Sequence, residues 1–333
     1  MFTYAARRIL AIFPVLLGGL TLLFFVFYLL PGDPIAVLAG TDGKRIPEAV
    51  RANIAHRYGL DKSVWRQYVD YLARLARLDL GDSFIENRPV SQTIGGNFVQ
   101  SLRLAVWAIA IEIVFGIGLG VVSARRKGGF IDRLILVLTV IVGAVPVFVM
   151  GFFLFQLLGV LPYQHNWPRW TRFQLGIGPD SWALGIIPTG GQWKFLLLPA
   201  VTLAGVTTAV NIRLMRASML EVAGAEFIRT ARAKGLSKNR ILFKHGLRNA
   251  VIPVVTAIGL DFGVLLGGAI LTETVYNWPG IGYAASQALQ RRDGPKVMGI
   301  ATIVLITYQV VSLLVDLSYG LIDPRIRLDR KKL

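Results

Sequence analysis

Four carboxylic acids lie within or beside long apolar runs of the sequence: Glu112, Asp261, Glu273 and Asp316. An isolated charge inside a lipid bilayer costs at least ~2.5 kcal/mol, so each of these side chains must face protein, water or a partner. Two kinds of chemistry suit them. They could pass protons along a relay, or they could hydrogen-bond neighbouring helices and line a polar path, with Glu273 near its outer mouth. We favour the second role, because a proton relay would not need the large basic segment that separates two of the apolar runs.

The other residues capable of catalysis or metal binding do not form a recognisable site. The histidines, His56, His165 and His245, fall in three different loops, and the sequence contains no cysteine, so we expect no metal site. No GxxxxGK[ST] sequence that would cradle phosphates is present, since Gly43-Lys44 lacks the upstream glycine. No Ser/His/Asp or paired-carboxylate arrangement supports hydrolysis. We therefore expect no catalytic residue and no bound cofactor on this chain, and any ATP that drives it must bind another chain.

The composition predicts the elements that carry these residues. Of the 333 residues 54% are hydrophobic and only 17% are charged, and the mean hydropathy is +0.57. These values are typical of an all-α polytopic membrane protein rather than of a soluble domain. The net charge of +17 would suggest nucleic acid in a soluble protein. Because the basic residues gather beside apolar runs, we assign them to topology and to anionic lipid head groups, and we expect no nucleic-acid partner.

Six apolar runs are long enough to cross a hydrocarbon core of roughly 30 Å at about 1.5 Å per residue. They are Ile9–Leu30, Leu104–Val122, Leu134–Leu161, Phe195–Ile212, Val251–Val275 and Val297–Leu321. A rigid turn at Pro31–Pro34 is predicted to end the first run. The third run is longer than one straight crossing requires and contains Pro146, so we expect it to tilt, to kink at that proline or to end in an interfacial piece. A cleaved signal peptide is disfavoured, because the apolar core of such a signal has only about 7 to 15 residues.

Lysine and arginine are distributed unevenly between the connecting segments. The segments predicted to be cytoplasmic hold 20 of them, and the two short outer loops hold 3 each. By the positive-inside rule both termini are expected to be cytoplasmic. We therefore divide the chain into a cytoplasmic N-terminus with the first span (1–30), an extracytoplasmic helical loop (31–100), a transmembrane core (101–322) that contains a cytoplasmic loop (213–249), and a cytoplasmic basic tail (323–333).

The long outer loop is predicted to contain helices. Pro47–Tyr58 and Ser63–Leu78 show helical periodicity, with apolar residues of the second segment at spacings of three and four. Trp65, Tyr68 and Tyr71 lie on the second of these segments. Their rings could form a docking surface or could cover the outer ends of the spans, and we favour the covering role.

The basic segment, Arg213–Asn249, separates the fourth and fifth apolar runs and holds nine lysines and arginines against two glutamates. Helix-forming residues fill Ala225–Lys234, and Gly235 follows as the residue that lets a helix end in a left-handed turn. Ser237 is placed to cap a second helix that runs through Asn249. The segment is therefore predicted to be a compact pair of helices on the cytoplasmic side. Fixing the topology alone is the alternative role for its charge.

Short motifs along nearly the whole chain resemble those of the permease subunits of dipeptide and oligopeptide ABC importers. The branch also includes permeases for nickel and glutathione, and the order of the motifs is similar to that of the first, dipeptide-type permease of the pair. The motifs are ARRIL before the first span, LPGDP at Leu30–Pro34, LDLGDS at Leu78–Ser83, FIRTARAKGLS at Phe227–Ser237, LRNAVIPVVT at Leu247–Thr256, GGAILTETVYNWPGIG at Gly267–Gly282, ALQRRD at Ala288–Asp293 and DPRIR at Asp323–Arg327.

This resemblance implies a type I ABC importer permease architecture with six transmembrane helices. It also implies that Ala225–Lys234 is a coupling helix that seats in a groove of an ATPase subunit. In the general importer motif Glu-Ala-Ala precedes an essential glycine, whereas this chain has Arg229-Thr230-Ala231 before Gly235. The acidic contact of other branches is therefore not carried over. The residues implied in ATPase coupling are Ala225, Glu226, Phe227, Ile228, Arg229, Thr230, Ala231, Arg232, Ala233, Lys234, Gly235, Leu236 and Ser237.

The resemblance further implies the partners of this chain. They are a second, homologous permease subunit, two ATPase subunits that hold ATP and Mg²⁺, an extracytoplasmic substrate-binding protein and the bilayer of a bacterial cytoplasmic (inner) membrane. The expected substrates are di- or oligopeptides. Import of nickel, haem or glutathione by the same machinery stays open at this point. A proton-coupled secondary carrier that works alone is the alternative from another class of protein.

Overall fold

A computed structural model describes residues 2–29, 47–166 and 193–322, and the long elements in these ranges are helices. The one pairing of extended chain within them is an isolated bridge between Asp82 and Pro89. In chain order the longer helices are α1 (Phe2–Leu29), α2 (Glu48–Tyr58), α3 (Val64–Leu75), α4 (Val90–Arg125), α5 (Phe130–Ala144), α6 (Val147–Val160), α7 (Trp193–Ala223), α8 (Glu226–Ala233), α9 (Arg248–Val275), α10 (Ile281–Gln290) and α11 (Gly294–Ile322).

Five unbroken helical stretches in the described residues are long and apolar enough to cross a membrane. They are Ile9–Phe27, Val90–Arg125, Phe195–Ala223, Lys238–Gly263 and Gly294–Val315. Helices α5 and α6 meet the same criterion only as a pair, which makes a sixth span if the pair is counted as one. The predicted all-helical membrane fold is therefore confirmed, with the third span as its irregular member.

The third span is sharply bent at Pro146. Helices α5 and α6 meet at an angle of 106°, and the residue before the proline, Val145, is extended with φ −87° and ψ 128°. Proline favours this geometry, because its ring disfavours a helical conformation in the residue before it, although Pro199 and Pro253 lie inside α7 and α9 without a break. The 15 residues of α5 reach only about 22 Å at 1.5 Å per residue. The predicted kink at this proline is confirmed.

Other boundaries agree with the sequence or extend beyond it. The two predicted outer-loop helices are present as α2 and α3. Helix α4 has 36 residues, or about 54 Å, and so extends far beyond the apolar run that predicted it. Helix α10, which follows the Asn277–Gly280 turn, was not predicted. The predicted turn at Pro31–Pro34 and the basic tail at 323–333 lie outside the described residues.

The described residues fall into two compact units, each with its own core. The first holds Ser101–Trp278 and the part of the chain from Val310 onward, and the second holds Phe2–Gln100 and Pro279–Gln309. Leucine, alanine and Trp278 form one core cluster of the first unit, and methionine and valine side chains form another. The core of the second unit consists of Val90, Ile94, Ile281, Ala284 and Ile300.

Within the first unit, α4 and α7 pack with almost no space between their backbones at Gly120. A Cβ added there would lie 2.5 Å from the Cβ of Met215 and 2.9 Å from the carbonyl oxygen of Ile212. Neither atom can move unless the helices separate. Gly120 thus sets the close approach of α7, the helix that leads into the basic segment.

We predict that Gly120→Leu greatly reduces the amount of folded protein in the membrane, since overpacking at such a contact costs about 1–3 kcal/mol or more. Fluorescence-detected gel filtration of the solubilised complex would measure this. Gly118→Leu is the matched control, because Gly118 is exposed and a Cβ there meets nothing within 4 Å. Equal losses in the two variants would contradict the packing argument.

Candidate functional site

Helix α8 lies in the basic segment and is amphipathic, with one apolar side buried and the other side exposed. Ile228 and Ala231 are buried and pack with Ile241, and Val222 and Leu236 cover this small core. The remaining side chains of the helix are exposed, including Phe227, which is 45% exposed. Aromatic and arginine side chains are enriched at protein–protein interfaces.

The end of α8 is a rigid left-handed turn. Gly235 has φ 75°, and its backbone N–H donates to the carbonyl of Arg232 at 2.9 Å. The N–H of Leu236 donates to the carbonyl of Ala231 at 3.3 Å. These two bonds make a Schellman motif, which satisfies carbonyls that the helix end leaves open. The predicted role of Gly235 in the turn is confirmed by this geometry.

The second half of the basic segment differs from its prediction in two ways. Ser237 is extended at the N-cap position of the next helical turn, as expected, but its side chain makes no capping hydrogen bond. The predicted helix also does not stop at Asn249. It runs as Lys238–Arg240, a π-helical stretch Ile241–Leu247, and then α9 without a break. Helix α8 is thus joined to a membrane span by one short turn.

A buried ion pair holds the helix that leads into α8. The carboxylate of Asp132, at the start of α5, is 2% exposed and accepts two hydrogen bonds from Arg216 of α7, at 2.7 and 2.8 Å. The hydroxyl of Ser123 donates to the same carboxylate at 2.5 Å, and the N–H of Gly128 donates at 2.8 Å. Sequence reasoning missed this site. The only local signal was an aspartate in the first turn of a helix after two glycines, which is a common way to begin a helix.

The structure brings together two of the four predicted acidic residues. The Asn211 side-chain nitrogen donates to Glu112 Oε1 and, at 2.9 Å, to Asp261 Oδ2. Glu112 and Asn211 are fully buried, and Asp261 is half-buried. We call these three residues the Glu112 cluster. They join α4, α7 and α9 in the first unit. Asn211 was not predicted, because a single asparagine at the end of an apolar run is no signal by itself.

Glu273 and Asp316 do not belong to this cluster. Glu273 is separated from Asp261 by 12 residues of α9, or about 18 Å, and it accepts a hydrogen bond of 2.5 Å from Ser101. Both side chains of that pair are buried. This contact joins α4 and α9. The side chain of Asp316 lies outside the described residues.

Helices α6, α7 and α9 are joined by a second buried network near the end of α9. The hydroxyl of Tyr276 donates to the carbonyl of Gly151 at 2.9 Å and lies 2.8 Å from the hydroxyl of Thr202. Burial raises the pKa of Tyr276 to about 12, so the phenol stays protonated and keeps its donor. Trp278 follows, fully buried. The turn after α9 is thus fixed by buried aromatic side chains.

In the second unit, the aromatic residues of α3 pack onto α1. The rings of Phe24 and Tyr71 stack at 5.6 Å, and those of Phe25 and Tyr68 lie 5.8 Å apart. Tyr71 is buried, and its hydroxyl lies 3.0 Å from that of Thr302; burial raises its pKa. These contacts fit the covering role. Trp65 is 69% exposed and keeps an open surface.

Two of the family-like motifs meet in the same unit. Ser83 of LDLGDS donates to Asp293 of ALQRRD at 2.5 Å, and the N–H of Phe84 donates to the other oxygen of Asp293 at 3.1 Å. Lys296 bonds to Glu86 beside them. A cavity of about 190 Å³ opens next to these contacts. Motifs 210 residues apart in sequence therefore form one structural site.

The histidines stay apart. His56 pairs with Asp61 at 3.1 Å, and this hydrogen bond lowers the pKa of Asp61. Within the ranges that the structure describes, no group of three or more histidine, aspartate or glutamate side chains is arranged to hold a metal ion.

Comparison with known proteins identifies the family. The family model described as "Binding-protein-dependent transport system inner membrane component" matches residues 116–328. The model described as "Binding-prot-dependent transport system membrane comp, N-term" matches residues 1–105. Together they account for nearly the whole chain. The first matched range contains α8 and two residues of the Glu112 cluster, Asn211 and Asp261.

Three curated relatives align over the full length. The "Dipeptide transport system permease protein DppB" of Escherichia coli strain K12 is 38% identical, with 98% of this chain and 99% of the relative covered. The "Di/tripeptide transport system permease protein DppB" of Pseudomonas aeruginosa is 37% identical, with 99% and 100% covered. The "Glutathione transport system permease protein GsiC" of Pectobacterium atrosepticum is 36% identical, with 98% and 99% covered. Given its apolar helices, both matching family models and these relatives, the chain belongs to the family of binding-protein-dependent transport system inner membrane components.

Proposed function

We propose that this chain is the permease subunit of an ATP-driven importer of di- or oligopeptides, and that α8 is its contact with an ATPase subunit. The observation that carries the proposal is the geometry of α8. It is a short helix with an exposed aromatic ring, closed by the Gly235 turn and joined directly to α9. A rigid helix of this kind transmits a displacement to the span behind it, whereas a flexible loop would absorb it.

The family implies ATPase and binding-protein partners, and we propose their arrangement. Two ATPase subunits bind ATP and Mg²⁺ and close on each other, and each closure moves a docked coupling helix. A second, similar permease completes the membrane part. The spans then alternate between inward-open and outward-open states. A shift from 1:99 to 99:1 between such states needs about 5.5 kcal/mol of differential affinity, which docking of α8 must deliver to the spans.

The proposed setting is the bacterial inner membrane, with both termini and the basic segment on the cytoplasmic side. The distribution of lysine and arginine supports this orientation. Helices α2 and α3 would then lie outside the cytoplasm, where a binding protein delivers substrate. The exposed ring of Trp65 would be available there.

Peptides are the proposed substrates, because two of the relatives are named for dipeptides or di- and tripeptides. Glutathione is the second candidate, because another relative of almost equal identity is named for it. Glutathione is itself a tripeptide, so both candidates demand recognition of similar groups. These names favour peptide-like cargo over nickel or haem.

The proposal is tested by uptake in proteoliposomes. The chain is reconstituted with the second permease, the ATPase subunits and the binding protein of its complex. Labelled dialanine and glutathione are then offered with and without ATP. ATP-dependent uptake of dialanine is expected, and the faster of the two substrates decides between the candidates. Failure of both peptides in a complex whose ATPase is active would overturn the proposed substrate class.

Vesicles that contain this chain alone test the other class of function. No uptake is expected there, with or without a proton gradient, because the proposed energy source is ATP hydrolysis by ATPase subunits that these vesicles lack. Gradient-driven uptake by the single chain would instead establish a secondary carrier.

A further inference from the structure

The Glu112 cluster contains more hydrogen-bond acceptors than donors. The amide nitrogen of Asn211 has two hydrogens, and both are used, one for each carboxylate. Glu112 Oε2 and Asn211 Oδ1 are buried and have no partner. An ionised carboxylate can accept about four hydrogen bonds, and an unsatisfied buried acceptor costs about 1–3 kcal/mol. The site is therefore incomplete as a purely structural contact.

A further unpartnered polar group lies beside it. The hydroxyl of Thr208 is buried and unpartnered, and the residue is 9% exposed. Thr208 precedes Asn211 by three residues on α7, so the two side chains share one face of the helix. A hydroxyl can orient its lone pairs toward a donor in the site. The groups that lack a partner are thus grouped on the face of α7 that carries Asn211.

The cluster also lacks positive charge. Among the described residues no lysine, arginine or histidine ion-pairs with Glu112 or Asp261, although both lie in spans, where an unpaired charge is costly. The buried Asp132 shows the contrast, because Arg216 binds it with two hydrogen bonds. A cation that donates N–H groups would supply both the positive charge and the hydrogen bonds that the Glu112 cluster lacks.

The geometry limits the size and the route of such a ligand. A Cβ added at Gly116, one helical turn after Glu112, would lie 3.3 Å from the Cβ of Asn211, so α4 and α7 leave no room on that side. The π-helical stretch Ile113–Ile117 begins directly after Glu112. Only Asp261 is partly exposed, and access is therefore past Asp261. These conditions favour a small head group as the ligand.

We propose that Glu112, Asn211 and Asp261 bind a primary ammonium group, and that the natural ligand is the N-terminal ammonium of a peptide during its passage. An ammonium brings three N–H donors and one positive charge, which matches the unpartnered Glu112 Oε2 and Asn211 Oδ1. The identity of the natural ligand rests on the proposed peptide import, but binding of the ammonium group does not.

Thermal unfolding of the purified complex in nanodiscs tests the binding directly. Ethylammonium chloride is compared with tetramethylammonium chloride and sodium chloride at equal concentration, since only ethylammonium donates N–H groups. A ligand bound by the folded state raises the unfolding temperature, and we expect ethylammonium to raise it by about 2 °C or more above the other two salts. Glu112→Gln and Asp261→Asn should abolish this difference.

Thr307→Val is the matched control, because the Thr307 hydroxyl bonds only to the carbonyl of Ile303 on its own helix; it should keep the wild-type shift. Equal shifts with all three salts, or a difference that persists in both acidic variants, would overturn the ammonium site. If Glu112→Gln does not assemble, the unfolding temperatures of Asp261→Asn alone test the site, because Asp261 is partly exposed.

Dialanine uptake separates this inference from the proposed function. Asp261→Asn is expected to lower uptake at saturating binding protein about tenfold or more, a loss of transition-state stabilisation of 1.4 kcal/mol. Wild-type uptake by both acidic variants, together with no salt-specific shift, would remove the site and leave peptide import intact. Absence of dialanine uptake by the wild-type complex would instead overturn the proposed function, whatever the salts show.

Discussion

Gly235→Val is expected to abolish ATP-dependent peptide uptake while the protein still folds and inserts. A β-branched residue in the left-handed conformation costs roughly 1–2 kcal/mol, and the position has φ 75° with no atom within 4 Å of an added Cβ. The penalty is therefore conformational and local. The turn would open, Leu236 would leave the small core under α8, and the docked helix would no longer move with α9.

Gly235→Asn provides the control for this prediction. Asparagine tolerates the left-handed region far better than valine, so it should keep most of the uptake. The readouts are initial uptake rate and the amount of complex recovered after gel filtration. Normal uptake by the valine variant would show that the shape of this turn does not matter for coupling.

The second large effect is expected at the ion pair between Asp132 and Arg216. Asp132→Ala leaves a mostly buried guanidinium without its two acceptors, and breaking such a pair costs about 3–5 kcal/mol when both partners are fully buried. The side chain of Arg216 is 21% exposed, so we expect the lower end of this range. Because Arg216 lies about two turns before the end of α7, the ratio of peptide transported to ATP hydrolysed should fall as well.

A double-mutant cycle distinguishes the pair from general damage. Asp132→Ala, Arg216→Ala and the double variant are compared by thermal unfolding and by uptake per ATP, with Arg133→Gln as the control at the neighbouring exposed residue. Residues in direct contact should show a coupling of about 1 kcal/mol or more. Strictly additive losses would mean that the pair does not act as a unit.

The features that the sequence predicted correctly are those determined by residues close together in the chain. A proline inside an apolar run predicted the bend before α6, since the clash lies between adjacent residues. Gly235 predicted a left-handed helix end for the same kind of reason. The apolar runs predicted the spans, because burial in lipid depends on composition over about twenty residues.

The contacts that were missed join residues far apart in the chain. Asn211 and Arg216 are ordinary residues of α7 until α4, α5 and α9 place carboxylates beside them. The sequence singled out four acids, but the grouping of Glu112 with Asp261 could not be predicted, because helix rotation and depth are set by packing. Helix α10 was overlooked because a proline and a glycine directly precede it and it has only ten residues.

The central claim is that α8 is where an ATPase subunit docks, and proximity labelling tests it most directly. The sequence has no cysteine, so a single cysteine can be placed at exposed Thr230 of α8, or at Arg66 of α3 as the control, and modified with a photoreactive maleimide. In the assembled, importing complex, Thr230→Cys is predicted to cross-link to an ATPase subunit and Arg66→Cys is not. No cross-link from Thr230→Cys, or equal cross-linking from Arg66→Cys, would contradict the assignment of α8.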